Sequence, residues 1–176
     1  PFAGGLAVFF AKEKSEVEVI NDINRFVINF YQQIQNNFEG LNAKIQATPH
    51  SRALVEDAFV MYQNSHLFDE VDKGWAMWVL ANCGYAGKIE KSYGYGIKKN
   101  KSELKVHNKR LTFDKSFKER LNVVQIECND ACKVIKSRDS DSTFMFIDPP
   151  YVGADQGHYA GYTNADYITL LKTLSH

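Results

Sequence analysis

The chain carries the sequence TFMFIDPPY at residues 143–151, in which an apolar run is followed by a rigid polar turn. The run Thr143–Ile147 is typical of a buried parallel strand, because both faces of such a strand are covered. Asp148 then stands where the strand ends. Pro149 and Pro150 fix the backbone beyond it, since proline has a locked φ and no N–H to donate. The stretch therefore predicts an α/β sheet with a carboxylate and unpaired carbonyl groups at a strand end.

The chemistry of this turn fits a flat heterocycle that bears an amino group. The carboxylate of Asp148 and a carbonyl of the turn accept N–H bonds, and the ring of Tyr151 stacks on the face of the heterocycle. At about 5% usage per residue type, four fixed residues recur by chance roughly once in 10⁵ positions. The alternative is a strand that ends in a Pro-Pro turn, with Asp148 merely capping it.

The composition is that of an ordinary soluble protein. The 176 residues, 44% apolar and 24% charged, fit one domain or one domain with a small insert. No apolar run approaches about 18 residues, so no membrane span is expected, and the N-terminal residues do not resemble a signal peptide. The three cysteines and five histidines lack the spacing of a disulfide framework or a metal site. We therefore expect reduced thiols, a cytoplasmic location and no metal.

A net charge of zero hides an uneven charge distribution. Residues 88–120, the basic segment, hold eleven Lys or Arg and four acidic residues, which gives +7 against −7 for the rest of the chain. Such a segment neutralises phosphates and supplies sequence-independent affinity for nucleic acid. A solvated helix face is the alternative, and the neighbouring base-binding turn favours nucleic acid.

The predicted elements alternate between strands and helices, with one long interruption. In chain order they are strand 16–20, helix 24–38, a helix from Thr48-Pro49 to about residue 66, helix 69–83 stopped by Gly84, a hairpin or loop over 84–96, strand 121–128, helix 130–135, strand 143–147 and a helix from about Ala165. The residues between 38 and 121 therefore look like a helical and basic module inserted into an alternating α/β domain.

Three acidic residues, Asp22, Asp130 and Asp148, each follow a predicted strand. Ligands of open α/β sheets bind outside the carboxyl ends of the strands, so these carboxylates are expected to converge on one cleft. Asp22 lies eighteen residues beyond Gly4, close to the ~20-residue spacing at which such an acid reaches the ribose of a nucleoside cofactor. The alternative for Asp22 and Asp130 is N-capping of the next helix.

Taken in order, these motifs resemble those of the Dam-like N6-adenine DNA methyltransferases, which use S-adenosylmethionine. Pro1–Gly5 resembles the cofactor-binding glycine motif, although Leu6 stands where the family usually has glycine. Asn21–Asn24 resembles the acidic motif that holds the ribose, and Gly84–Gly87 resembles the start of the DNA-contacting hairpin. Asp148–Tyr151 matches the catalytic motif fully. The resemblance covers most of the chain.

The resemblance implies a Rossmann-like methyltransferase sheet with an inserted, mainly helical target-recognition module. The catalytic domain would comprise residues 1–45 and 120–176, and the recognition insert residues 46–119. Because the chain starts at the glycine turn and stops one helix after the catalytic motif, we expect a sheet that is incomplete at both ends and hence a fragment of a longer enzyme. The implied catalytic residues are Asp148, Pro149, Pro150 and Tyr151. The implied cofactor-binding residues are Phe2, Ala3, Gly4, Gly5, Asp22, Asp130 and Ala131. The predicted DNA-binding residues are Tyr85, Lys88, Lys91, Lys98, Lys99, Lys101 and Tyr159.

The implied activity is site-specific methylation of the N6 amino group of adenine in double-stranded DNA, with S-adenosylmethionine as methyl donor. The target base would be flipped out of the duplex and methylated by direct in-line transfer. A role in restriction-modification fits, and no obligate protein partner is evident. Two alternatives stay open, namely methylation of N4 of cytosine and a non-catalytic DNA-binding fragment. A glutamine-methylating enzyme is disfavoured, because it usually has Asn in place of Asp148.

Overall fold

The computed structural model describes residues 1–85, 89, 92–96, 101–152 and 161–175, with the backbone alone for Lys101. The chain divides into two compact units, one formed by Pro1–Ile28 with Val123–His176 and the other by Asn29–Asn122. The described residues form a helix-rich mixed fold with a small parallel two-stranded sheet in the first unit. None of the described helices has the length and apolar character needed to cross a membrane.

The described helices and strands follow one another in this order. They are α1 (Ala7–Ala11), β1 (Val19–Asn21), α2 (Arg25–Asn36), α3 (Phe38–Gln46), α4 (Arg52–Gln63), a 3₁₀ turn (Ser65–Leu67), α5 (Glu70–Cys83), α6 (Lys101–Leu111), α7 (Lys115–Leu121), β2 (Gln125–Glu127), α8 (Ala131–Arg138) and α9 (Asn164–Leu174). The predicted strands near residues 20 and 125 are confirmed in shorter form, and so are the helices predicted after Asp22, Asp69 and Asp130 and near Ala165.

The sheet of the first unit pairs two strands that are far apart in sequence. β1 and β2 run parallel, with Val19 opposite Gln125 and Asn21 opposite Glu127. Parallel strands need a long crossover connection, and here the whole second unit lies between them in sequence. The carboxyl ends of both strands therefore lie at the same edge of the sheet, followed by the turns at residues 22–24 and 128–130.

The first unit is completed by packing of α8 against α9, with buried side chains at Val134, Ile135 and Leu170. A capping box begins α9. The Thr163 hydroxyl accepts from the Asp166 N–H at 3.3 Å, and the Asp166 carboxylate accepts from the Thr163 N–H at 2.8 Å. This reciprocal pair satisfies two donors that a helix start leaves without partners, so α9 begins sharply at Asn164.

The second unit is a cluster of helices in which α5 packs against α3, α4 and α6. Its core contains fully buried aliphatic side chains, and Trp78 of α5 joins them. The buried aliphatic residues include Ile34, Leu41, Ile45, Val55, Val79, Leu80, Val106 and Leu121. Gly74 lets α5 approach α2 closely, because a Cβ there would lie 3.2 Å from Cγ of Gln33.

The predicted helix start at Thr48-Pro49 is wrong. α4 begins at Arg52, and Thr48 is only 2% exposed. The Thr48 hydroxyl donates to the Lys44 carbonyl at 2.7 Å and accepts from the Trp75 indole N–H at 2.7 Å. Thr48 therefore anchors the end of α3 to α5. The helix predicted over 24–38 also breaks at Asn37, so that α3 forms a separate helix.

The predicted buried strand at residues 143–147 is also wrong. The described structure places this segment outside the sheet, and the side chains of Phe144 and Phe146 are 77% and 47% exposed. Apolar composition gives a segment the tendency to form a strand, but a strand also needs a neighbour to pair its N–H and carbonyl groups. Within the described residues, β1 and β2 pair with each other, and neither of them pairs with residues 143–147.

The reactivity of Cys83 tests whether the core of the second unit excludes solvent. Its side chain lies in the core, and burial raises the pKa of its thiol to about 11. At pH 8 roughly one such thiol in 10³ is ionised, and the thiolate is the reactive form. We therefore expect Cys128 and Cys132, which are exposed and half-buried, to be modified by a thiol reagent well before Cys83. Labelling followed by mass spectrometry measures each rate, and Cys83→Ala serves as control. Equal rates at Cys83 and Cys128 would contradict the described core.

Candidate active site

The glycine turn lies beside the carboxyl end of β1. Gly4 has a φ of +47°, which glycine adopts without steric cost. The Ala3 N–H donates to the Asn21 carbonyl at 2.8 Å, and this bond holds the turn against the strand end. A Cβ added at Gly4 or Gly5 would meet no atom within 4 Å, so the outer side of the turn is open. A ligand can therefore approach this backbone closely.

Leu6 stands where the family usually has glycine, and its backbone keeps a conformation that glycine favours. It adopts a left-handed conformation, with φ 52° and ψ 29°, immediately before α1. This conformation costs an L-residue roughly 1–2 kcal/mol, which glycine avoids. The Leu6 side chain is 9% exposed, and its burial offsets the strain with about 1.5–3 kcal/mol. The turn thus keeps a glycine-like backbone at a position that carries a core side chain.

Asp22 fastens the glycine turn from the other side. Its side chain is 1% exposed, and Oδ2 accepts from the Gly4 N–H at 3.1 Å. Oδ1 accepts from the Asn24 N–H at 2.8 Å. The start of α2 is capped by Asn24 instead, whose side-chain oxygen accepts from the Phe26 N–H at 2.9 Å. The eighteen-residue spacing predicted contact of Asp22 with a ribose, which stays a prediction, and the bond from the Gly4 N–H to Asp22 was not predicted.

Asp130 follows β2 and combines two possibilities raised by the sequence. Its Oδ1 accepts from the Lys133 N–H at 3.0 Å, so it caps α8, which begins at Ala131. Its side chain is nevertheless exposed and reachable from solvent. The β1–β2 pairing and hydrogen bonds from Asn21 to Asn129 bring Asp130 to the edge that holds the glycine turn and Asp22.

Tyr162 is a residue of this edge that the sequence analysis did not identify. Its ring lies edge-on to Phe2, with ring centroids 6.3 Å apart. Burial raises the pKa of the Tyr162 phenol, and nearby Cys132 and carboxylates that include Asp130 raise it further. Phe2 of the glycine turn and Tyr162 therefore form an aromatic contact at this edge. The one sequence signal was the richness of residues 152–162 in glycine and tyrosine.

The Asp148–Tyr151 turn presents its functional groups to solvent. Asp148 is exposed, Tyr151 is 65% exposed, and the Tyr151 hydroxyl donates to Oδ1 of Asp148 at 3.2 Å. Pro150 is buried and anchors the turn. A carboxylate and an aromatic ring are thus held side by side at the surface of the first unit. Convergence of Asp148 with Asp22 and Asp130 on one cleft stays a prediction.

The start of the predicted hairpin in the second unit is partly described. Gly84 forms an antiparallel bridge with Tyr93, and the Tyr85 N–H donates to the Ser92 carbonyl at 2.8 Å. The Tyr85 side chain is 65% exposed. The other predicted DNA-binding positions lie outside the described residues, or in the case of Lys101 outside the described side chains. They are Lys88, Lys91, Lys98, Lys99, Lys101 and Tyr159.

A stacked group of aromatic and cationic side chains was not predicted. The Arg52 guanidinium lies over the Tyr93 ring at 4.9 Å and over the Tyr95 ring at 5.6 Å. The His50 ring stacks on Tyr93 at 4.6 Å, and its Nδ1 lies 3.0 Å from the Tyr93 hydroxyl. These contacts link the start of α4 to the hairpin strand at residue 93. Spacing could not reveal them, because they join positions about forty residues apart.

Comparison with known proteins gives these motifs a common context. The chain combines a glycine turn at a parallel strand edge with an exposed Asp-Pro-Pro-Tyr turn. The family of D12 class N6 adenine-specific DNA methyltransferases matches residues 1–171, and the chain belongs to that family. A Type II methyltransferase of Lactococcus lactis subsp. cremoris, M1.LlaDCHI, is 27% identical over 177 residues, which cover 95% of this chain and 61% of that protein. The chain thus spans about 61% of the length of this curated relative.

Proposed function

We propose that the intact protein is a site-specific DNA methyltransferase that transfers a methyl group from S-adenosylmethionine to the N6 amino group of adenine. The observation that carries this proposal is the exposed Asp148–Tyr151 turn within a chain that belongs to the N6 adenine-specific family. The same family membership does not favour methylation of N4 of cytosine. The Type II relative supports a role in restriction-modification, and a DNA substrate fits the cytoplasmic location expected from the thiols.

The residues of the glycine turn and of the adjoining sheet edge have the chemistry to bind S-adenosylmethionine. An open glycine turn admits a ligand close to the backbone, and the exposed Asp130 carboxylate can accept hydrogen bonds from ribose hydroxyls or an adenine amino group. Phe2 offers an aromatic wall for a flat base. We assign the binding role to Phe2, Ala3, Gly4, Gly5, Asp22, Asp130 and Ala131, with Tyr162 added. When bound, this cofactor supplies an electrophilic methyl group on a sulfonium. Among the described residues no group of three possible metal ligands is present.

The catalytic turn would act on the amino group of the target adenine. Its lone pair is delocalised into the ring, so the nitrogen is a poor nucleophile. Asp148 and the Pro149 carbonyl would accept the two N–H bonds, which favours a pyramidal nitrogen with its lone pair free for attack. Once the methyl group is bonded to the nitrogen and its bond to the donor sulfur is broken, the nitrogen loses one N–H proton, which the Asp148 carboxylate would pass to solvent. Catalysis then rests on positioning and electrostatics, and the enzyme forms no covalent bond to the base.

Base flipping requires that the cost of unstacking be offset. Removing a base from the duplex costs a few kcal/mol. Stacking on an aromatic ring returns roughly 1–3 kcal/mol per base, and Tyr151 offers an exposed ring for this role. Because its hydroxyl also bonds Asp148, the ring is held beside the carboxylate before a base arrives.

We also propose that β1 and β2 belong to a Rossmann-like methyltransferase sheet, with residues 46–119 as a recognition insert between catalytic segments 1–45 and 120–176. The parallel pairing of β1 and β2 supports the sheet assignment. The long crossover between the two strands, filled by the helices of the second unit, supports an insert. Its net positive charge and the exposed Tyr85 support double-stranded DNA as its partner.

Exposed lysines of α6 allow a test of phosphate contact. Lys105 and Lys109 are four residues apart, so they share one helix face. If both contact phosphates, the double variant Lys105→Ala/Lys109→Ala should bind DNA more weakly and lower the salt slope of log K by about 1.8. The matched control is Lys133→Ala/Lys136→Ala, which removes the same charge from α8. DNA titrations at several salt concentrations measure both slopes, and equal slopes would contradict a specific role for α6.

The proposed activity is tested by methyl incorporation. The intact protein is incubated with isotope-labelled S-adenosylmethionine and unmethylated genomic DNA, and label in the DNA is counted. We expect incorporation that reaches a plateau, since a site-specific enzyme exhausts its sites. Cofactor and DNA binding without incorporation would instead support the non-catalytic alternative.

A further inference from the structure

The side chain of Asn21 makes three hydrogen bonds at the edge where the glycine turn meets β2. Its Nδ2 donates to the Pro1 carbonyl at 2.8 Å and to the Asn129 carbonyl at 3.0 Å. Its Oδ1 accepts from the Asn129 N–H at 2.9 Å. Asn21 is 1% exposed, so its own amide group has no water as a ready substitute for these partners. Both N–H donors of the Asn21 side-chain amide and its oxygen acceptor are therefore hydrogen-bonded.

These bonds extend the β1–β2 pairing by one step. Asn21 is the last paired residue of β1, and it lies opposite Glu127. After these residues β1 leads into the turn at Asp22, and β2 leads into the turn at Asp130. The side-chain amide of Asn21 then bonds the backbone of Asn129, as a strand partner would. Both polar backbone groups of Asn129 are satisfied in this way by one side chain. The position of the Asp130 turn relative to β1 is therefore fixed by Asn21.

The same residue also fixes the glycine turn. Its backbone carbonyl accepts from the Ala3 N–H at 2.8 Å, while its side chain reaches the Pro1 carbonyl. Two segments assigned to cofactor binding, residues 1–5 and 129–131, are thus hydrogen-bonded to one buried residue. Asp22, which holds Gly4, is its immediate neighbour.

We infer that Asn21 is a positioning residue for the cofactor, which sets the spacing between the glycine turn and the Asp130 turn without touching the reacting atoms. This inference rests on the proposed function. The substitution Asn21→Asp keeps the shape of the side chain but removes both Nδ2 donors and turns a carboxylate oxygen toward two carbonyl groups. The two turns should then separate, and cofactor affinity should fall while the DNA-binding residues are unaffected.

The test compares cofactor and DNA binding in the intact protein. For Asn21→Asp we expect the Kd and KM for S-adenosylmethionine to rise about tenfold, the size expected when one buried group loses its partner. The kcat at saturating cofactor and the Kd for DNA should stay within about twofold. Asn21→Ser, which is smaller and neutral, should show the same split and replaces Asn21→Asp if that variant does not fold.

A second buried asparagine supplies the matched control. Asn29 is 4% exposed, and its Nδ2 donates to the Glu70 carbonyl at 2.8 Å within the second unit. Asn29→Asp should lower thermal stability but leave the KM for S-adenosylmethionine unchanged. An unchanged cofactor Kd in both Asn21 variants would overturn the positioning role. Failure of the wild-type protein to bind the cofactor would instead overturn the proposed function, and the inference with it.

Discussion

Replacing Asp148 with alanine in the intact protein is expected to lower methyl transfer by about 10³-fold. The variant loses the carboxylate that accepts an N–H bond of the adenine amino group, and removal of one such group from a preorganised site typically costs 10²–10³-fold. The Pro149 carbonyl cannot compensate alone, because the second N–H then has no acceptor. Single-turnover methylation assays at saturating cofactor and DNA measure this loss directly.

The Asp148→Ala substitution should slow the methyl-transfer step without changing stability or cofactor binding. Asp148 is exposed, so its removal should change the free energy of unfolding by no more than about 0.5 kcal/mol. Affinity for S-adenosylmethionine should also be kept. Asp141→Ala, at an exposed position seven residues earlier, is the matched control and should retain full activity. Substantial turnover by Asp148→Ala would remove Asp148 from the mechanism.

Replacing Asp22 with alanine is expected to weaken both the cofactor site and the fold. The Asp22 carboxylate accepts from the N–H groups of Gly4 and Asn24, and it is almost completely buried. Hydrogen bonds to charged groups contribute about 1.5–3 kcal/mol each, so we expect the free energy of unfolding to fall by about 3 kcal/mol. The glycine turn loses its anchor, and cofactor affinity should fall by about 10²-fold, since the lost bonds also define the site.

Asp114 provides the control for this prediction. It also accepts a backbone N–H bond, from Ser116 at 2.8 Å, but at the exposed start of α7. Asp114→Ala should cost about 1 kcal/mol, as loss of a helix cap does, with no effect on cofactor affinity. Chemical denaturation and calorimetric titration measure the two effects. Equal cofactor affinity in the Asp22 and Asp114 variants would show that Asp22 is only a structural residue.

The local features of the cofactor edge could be predicted from the sequence because they depend on near neighbours. The bond from the Gly4 N–H to Asp22 was not predicted, but the glycine pair did predict a turn at Gly4 and Gly5, because glycine adopts a positive φ without steric cost. Asp69 was likewise placed at the start of a helix. Its side chain accepts from the Asp72 N–H, which local spacing alone dictates.

Features that depend on distant partners could not be predicted. Thr48-Pro49 was interpreted as the start of a helix, but Trp75 of another helix determines the environment of Thr48. The strand at 143–147 was inferred from apolar residues, although pairing depends on a neighbouring strand. Asn21 and Tyr162 acquire their roles from Asn129 and Phe2, more than one hundred residues away. Single-sequence patterns carry no information on such contacts.

The identity of the methylated base tests the central claim most directly. Unmethylated DNA is treated with the intact protein and S-adenosylmethionine, digested to nucleosides and separated by mass spectrometry, with Asp148→Ala as the inactive reference. We predict that N6-methyladenine accumulates with the wild-type protein and is absent with the variant. N4-methylcytosine as the product, or N6-methyladenine formed equally by the variant, would contradict adenine methylation at the Asp148–Tyr151 turn.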